Sequence, residues 1–298
     1  MNEALERLVQ ADLRYISFGA VVYALAYLAR GLRLNLVLPA GDRLPFLRAF
    51  SLSGAAVFLL QVVPFRAGSG ASWVMLKRAL GKSWSRAAAV AVLIKVIDTA
   101  VMLLAGLLGA AFVSLRRGSP VIGQGALVLS FATILGLVLL PRFGGAVCAR
   151  LAKRLEQKPR LAAILGELAI GLETARQKPV LYAAAFLPAM LFTAGHLVSL
   201  WLQIRGLGYD VPLSSIACAS GASLLTTATV PAPVGTFGPM ETGFAAGLAL
   251  DGFPLVTGLF LGACVHLVST AVAGLVGLPE LVRAFRVSRE TPPPPPPP

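Results

Sequence analysis

Two short stretches combine proline, glycine and charge in a way that suits recognition of an anion: Pro64-Phe65-Arg66-Ala67-Gly68 with the nearby Gly70, and the run from Pro231 to Glu241 containing Gly235 and Gly238. A guanidinium at Arg66 can hold a phosphate through two parallel hydrogen bonds. Helices restarting after Gly70 and Gly238 would aim free N–H groups and partial positive charge at the same ligand, and Gly68 and Gly235 would let the backbone come close. The plainer reading gives those glycines turn geometry alone and makes Arg66 an interfacial cation. Lys95 and Asp98, three residues apart on one helical face, can pair directly. Glu241 stands where a carboxylate caps a helix start, or it answers Arg66 or a cationic headgroup. His266 reads as an interhelical hydrogen-bonder.

The elements that must hold these residues are membrane helices. Of 298 residues 57% are hydrophobic and only 13% charged, about half the charged share of ordinary soluble domains. Val121 to Leu140 carries Gln124 as its one strongly polar residue, long enough to cross a hydrocarbon core as helix. Similar runs fill Ala87 to Val113, Val180 to Ile204 and Leu255 to Leu278. Ile16 to Ala29 is shorter and is bracketed by Arg14 and Arg30, whose stems can snorkel to the two interfaces. Glu3, Glu6 and Asp12 near the start argue against a cleaved signal peptide. Cys148, Cys218 and Cys264 are too scattered for a disulfide framework.

The chain repeats itself. Gly41, Pro45, Ser53, Gly54, Val63, Pro64 and Gly68 recur 167 residues later as Gly208, Pro212, Ser220, Gly221, Val230, Pro231 and Gly235. Past a one-residue insertion, Gly70, Ala105, Gly106 and Gly109 recur as Gly238, Ala273, Gly274 and Gly277, an offset of 168 that also aligns Asp98 with His266. Proline and glycine at equivalent places in two halves leave unpaired backbone groups at membrane depth, as expected of a transporter substrate site. If each broken segment is a re-entrant hairpin, most of the 26 basic residues fall on the side of the loop 142–178. That charge bias favours inverted repeats, with about six full spans, two hairpins and an external N-terminus.

The expected organisation is an all-α polytopic membrane protein: a first repeat at 1–141, a basic amphipathic connector at 142–178, a second repeat at 179–282, and a tail at 283–298 that is basic and then polyproline and lacks fixed structure. Net charge of +13 is read as a topology determinant, with no nucleic acid as partner.

The motifs around the two breaks, with the step Lys95-Val96-Ile97-Asp98, resemble the transmembrane region of lysylphosphatidylglycerol synthases, also called the flippase-like domain family. The likeness runs from about Ala49 to Leu278. Departures from the family pattern are Ser69 after Gly68, Lys95 and His266, where glutamate, arginine and arginine are usual. The resemblance implies a stand-alone lipid flippase-like transporter of the cell membrane without the soluble aminoacyltransferase domain. Its partners would be lipids with anionic headgroups (phospholipid, aminoacyl-phospholipid or polyprenyl-phosphate-linked lipid), with a homo-oligomer or a lipid-modifying enzyme as further partner. No cofactor, metal or catalytic residue is expected, since no H-E-x-x-H, G-x-S-x-G or P-loop signature is present. The substrate-binding candidates are Arg66, Gly68, Gly70, Lys95, Asp98, Gly235, Gly238, Glu241 and His266. A membrane-embedded transferase acting on a carrier lipid, and a non-transporting accessory subunit, are the alternatives.

Overall fold

The computed structural model describes residues 2–38, 40–64, 67–155, 157–177, 179–230, 232 and 234–290. Among them there are helices and turns but no strand. In order these are α1 (Asn2–Val9), α2 (Leu13–Val37), α3 (Phe46–Val62), α4 (Ala67–Leu80), α5 (Trp84–Arg116), α6 (Pro120–Leu139), α7 (Gly145–Arg154), α8 (Pro159–Gln177), α9 (Pro179–Gly206), α10 (Leu213–Thr229), α11 (Pro239–Ala249) and α12 (Leu255–Glu290). Helix starts follow local chemistry. Asp12 caps α2 by accepting from the Arg14 N–H at 2.9 Å, Ser83 caps α5 by accepting from the Arg86 N–H at 3.3 Å, and Pro120 opens α6 where a missing N–H costs nothing.

Five described helices are long and apolar enough to cross a membrane, one fewer than the expected count of about six. The helix read at Ile16 to Ala29 is longer than expected and runs to Val37. It does not stop at Arg30, because Arg30 and Arg33 turn into the protein instead of reaching an interface. At the other end α12 continues to Glu290, so the basic stretch after residue 282 is helical, contrary to the expected unstructured tail. The polyproline run 292–298 lies outside the described residues.

Packing exchanges partners between the two halves. α3 lies on α12, α10 lies on α5, and α2 lies along α9. Small residues allow the approach, which is how helices associate where lipid tails are as apolar as the side chains. A Cβ placed on Gly106 would fall 2.6 Å from the Gly221 Cα, and one on Gly54 would fall 2.8 Å from the Gly277 nitrogen. Ser53 and Ser220, equivalent in the two halves, each donate to the carbonyl four residues back at 2.8 Å, so neither leaves a polar group facing lipid. Each hairpin closes on itself as α3 on α4 and α10 on α11. Core clusters form around Leu34, Leu52 and Leu76 and around Ile204, Phe244 and Leu261, with smaller ones at Tyr27 and Phe192 and at Ile97 and Ala189.

Ionic clusters seal the ends of both exchanged interfaces. Arg48 at the start of α3 meets Glu280 of α12 at 3.3 Å, and Glu280 also holds Arg283. On the α10–α5 side, Ser215 donates to the Asp251 carboxylate at 2.6 Å, Arg117 Nε donates to it at 3.1 Å, and Arg116 completes the cluster. Asp251 is 3% exposed. Burial pushes its carboxyl up, but the hydrogen bonds from Ser215, Arg117 and Arg116 outweigh that and hold it below the usual carboxylate range. The connector leaves α6 through a π turn at Leu140–Gly144 that absorbs Pro141, and α8 returns to pack on α7 and α5.

Three outcomes follow from this packing. Gly221→Leu should destabilise the folded protein by about 3 kcal/mol or more, since the backbone of Gly106 cannot yield. Gly136→Leu, with no atom within 4 Å of its added Cβ, should leave thermal unfolding in detergent unchanged. Asp251→Asn should cost about 2 kcal/mol at neutral pH. Because the folded-state carboxyl is depressed, its contribution is complete above about pH 4 and vanishes as pH falls through the lower folded value. The variant's unfolding temperature should therefore fall less steeply than the parent's in acid, and parallel acid profiles would contradict the assignment.

Candidate functional site

The two breaks are real and they touch. α3 ends at Val62 and α4 begins at Ala67, while α10 ends at Thr229 and α11 begins at Pro239. Gly235 sits at φ 52°, and a Cβ there would come within 1.6 Å of the Gln61 carbonyl oxygen. That contact lets the Thr236 N–H donate to the same carbonyl at 3.2 Å, so the second break satisfies an orphan acceptor at the end of α3. Gly68 meets the Leu59 carbonyl, which closes the first hairpin tightly. Gly70 and Gly238 face open space, and Gly238 has φ 94°, a conformation side chains rarely adopt. Arg66 lies outside the described residues.

Glu241 is the third residue of α11 and performs two tasks. One carboxylate oxygen accepts from the Gly238 N–H at 2.6 Å, and the other meets His266 Nδ1 of α12 at 2.5 Å. His266 Nε2 lies 3.1 Å from the Thr236 hydroxyl, and its ring stacks on Phe237 with centroids 4.1 Å apart. These partners engage both carboxylate oxygens of Glu241 and both ring nitrogens of His266. His266 is the interhelical bonder expected, and Glu241 is a cap and a clamp between helices.

Asp98 departs from expectation. Its partner is not Lys95 but the arginine pair of α2: Arg33 Nη2 donates at 2.9 Å in a two-pronged arrangement, and Arg30 Nη2 stands 3.0 Å away. The Arg33 side chain is 0% exposed. Arg30 also lies over the Phe192 ring, 4.8 Å from its centroid. The i,i+3 spacing of Lys95 and Asp98 is overridden because a planar guanidinium matches both carboxylate oxygens at once and an ammonium does not. Lys95 forms no ion pair among the described residues, and an isolated charge at mid-span costs about 3 kcal/mol.

Three connected cavities gather these groups. One of about 250 Å³ is lined by Arg30, Arg33, Lys95 and Asp98 with Trp73 and Leu76 of α4. A second of about 190 Å³ adds Gln61, His196, Ser220 and Thr236. A third of about 220 Å³ lies against the second break, at Gly235 and Thr236. Leu60 and Lys95 line all three. Gln61 Oε1 and His196 Nδ1 are buried and have no hydrogen-bond partner among the described residues. The site thus sets three cations against one carboxylate, with neutral polar groups beyond, between the halves.

Four of these residues were not candidates on sequence grounds: Arg30, Arg33, Gln61 and His196. Arg30 reads from the sequence as an interfacial charge bracketing a short span, and Arg33 lies just beyond it. The signal available was helical spacing: Tyr23, Tyr27, Arg30 and Leu34 form one face, an aromatic and basic stripe that no lipid-facing helix would carry. No equivalent cue marks Gln61 or His196.

A family model for the lysylphosphatidylglycerol synthase TM region matches residues 1–277. Neither the curated proteins nor the solved structures gave a match.

The charge network has a direct consequence for stability. Asp98→Ala should lower folded-state stability by about 3–5 kcal/mol, because Arg33 would stay buried without a counter-ion. The double variant Arg33→Met with Asp98→Leu should recover most of that loss in thermal unfolding. Equal losses in the single and double variants would mean the pair is not coupled.

Proposed function

The chain belongs to the lysylphosphatidylglycerol synthase TM-region family, whose role is membrane lipid-related, and from that premise we propose that it moves an anionic-headgroup lipid between leaflets. The observation that carries this reading is the excess of cations around cavities that meet where both helices break. An embedded protein gains nothing from an unpaired lysine beside a satisfied Arg–Asp cluster unless a ligand supplies the missing charge. A phosphate on Lys95 and Arg30 does so, while Gln61, His196 and the hydroxyls beyond accommodate the rest of the headgroup.

Alternating access would come from rocking of one half against the other. Exchanged packing of α3 on α12 and α10 on α5, with glycine at both contacts, supports it, because smooth backbone surfaces slide where interlocked side chains would not. The inverted arrangement of the two halves belongs to the same proposal. So do residence in the cell membrane, the phospholipid or polyprenyl-phosphate nature of the substrate, and the absence of an enzymatic step. Glu241 and His266 hold the second break shut in this mechanism and do not touch the headgroup.

Reconstitution into vesicles carrying fluorescent phosphatidylglycerol or a polyprenyl phosphate tests the reading. The parent should expose labelled headgroups of the inner leaflet to an external quencher. Lys95→Ala should slow that exchange at least tenfold without lowering the unfolding temperature, since Lys95 has no ion pair among the described residues to lose. Exchange no faster than in protein-free vesicles, across all these lipids, would refute transport.

A further inference from the structure

The two hairpins are sealed differently against the helix that follows each. In the second half α11 lies flush on α12: a Cβ on Gly258 would fall 2.6 Å from the Ala245 Cα, and one on Gly262 would fall 3.2 Å from the Glu241 Cα. The Glu241–His266 hydrogen bond clamps the same seam at 2.5 Å. At the offset of 168, Val90 and Ile94 stand where Gly258 and Gly262 stand, and Trp73 and Asp98 stand where Glu241 and His266 stand. Branched side chains keep α5 from approaching α4 as closely as α12 approaches α11. Asp98 turns to Arg30 and Arg33 of α2, so the Glu241–His266 hydrogen bond is not repeated between the equivalent Trp73 and Asp98. The cavity of about 250 Å³ fills the gap, walled by Trp73 and Leu76 on one side and Ile94 and Lys95 on the other. Lys95 and Val96 are exposed there, within a helix long and apolar enough to span.

Building on the transport reading, we propose that the α4–α5 seam is a lateral portal for one anionic phospholipid, with its phosphate on Lys95 and Arg30 and its acyl chains lying outward past Trp73. The α11–α12 seam is its closed counterpart. A phospholipid needs a counter-charge for its headgroup and unbroken hydrocarbon around its chains. A slot open to the bilayer along one side with cations at its inner end provides both, whereas an enclosed cavity would admit only a free phosphate.

The portal is tested by bridging it. Trp73→Cys with Ile94→Cys, joined by a short bifunctional thiol reagent with a reducible link, should move fluorescent phosphatidylglycerol at least tenfold more slowly than either single variant treated alike. Reduction should restore the rate. The native cysteines remain in every variant, so they cannot account for a difference. An unchanged rate in the bridged pair would overturn the portal and leave transport standing. Should the parent itself move no lipid, transport fails and the portal is decided by binding. In a Trp84→Phe, Trp201→Phe variant, phosphatidylglycerol with brominated chains should quench Trp73 several-fold more than phosphatidylcholine with the same chains. Lys95→Ala should erase the preference, and inorganic phosphate should leave it intact. Equal quenching by the two lipids would overturn the portal, as would loss of the preference with phosphate, which would identify a site for the free anion.

Discussion

Hydrocarbon offers no hydrogen bonds, so a helix can stop inside it only where protein covers the loose ends. In this chain that constraint is met by letting each interruption cover the other. The Gln61 carbonyl, left over at the end of α3, is answered by the Thr236 N–H of the second break, and Gly235 is the residue whose missing side chain allows the contact. Within the second break, the freed N–H of Gly238 is taken by Glu241. Neither hairpin is self-sufficient. The meeting of the halves is therefore a condition for the breaks to exist, and the cavities beside them are a by-product of backbone that cannot pack as regular helix.

The same medium governs the charges. Arg33 is buried completely, and its acceptability rests on a two-pronged bond to Asp98 that only a guanidinium can form. Arg30 shares that carboxylate and leans on Phe192. With Asp98 spent on two arginines, Lys95 is left as the charge without a protein answer among the described residues. The arginines and aspartate hold α2 to α5, and in the proposed function the lysine is the group left to meet a ligand.

Much of this was legible in the residues. Composition alone establishes the membrane class, and proline with glycine at Pro64 and Pro231 marks where α3 and α10 end, within a residue or two. The breaks were visible because proline removes a donor whatever surrounds it. Partners were not visible, because pairing depends on which helices come together. Lys95 and Asp98 have the right spacing to pair, yet an arginine 65 positions away wins on geometry. Ile16 to Ala29 reads as a complete span with Arg30 at its interface; α2 in fact continues for two more turns and carries Arg30 and Arg33 into the protein. Arg66 lies outside the described residues, so its part in the site rests on sequence alone.

The offset of 167–168 residues relates the two breaks in sequence, and the two seams beside them differ in their side chains. Here glycine at 258 and 262 draws α12 against α11, while valine and isoleucine at 90 and 94 hold α5 off α4. Histidine at 266 reaches across its seam to Glu241, and aspartate at 98 reaches away from its own toward α2. A perfectly symmetric pair of seams would open equally on both halves and leave no preferred way in. In the proposed transport, bulk at 90 and 94 in place of glycine, and a carboxylate at 98 in place of the clamping imidazole, would set which half receives the lipid, with the cations placed on that same half.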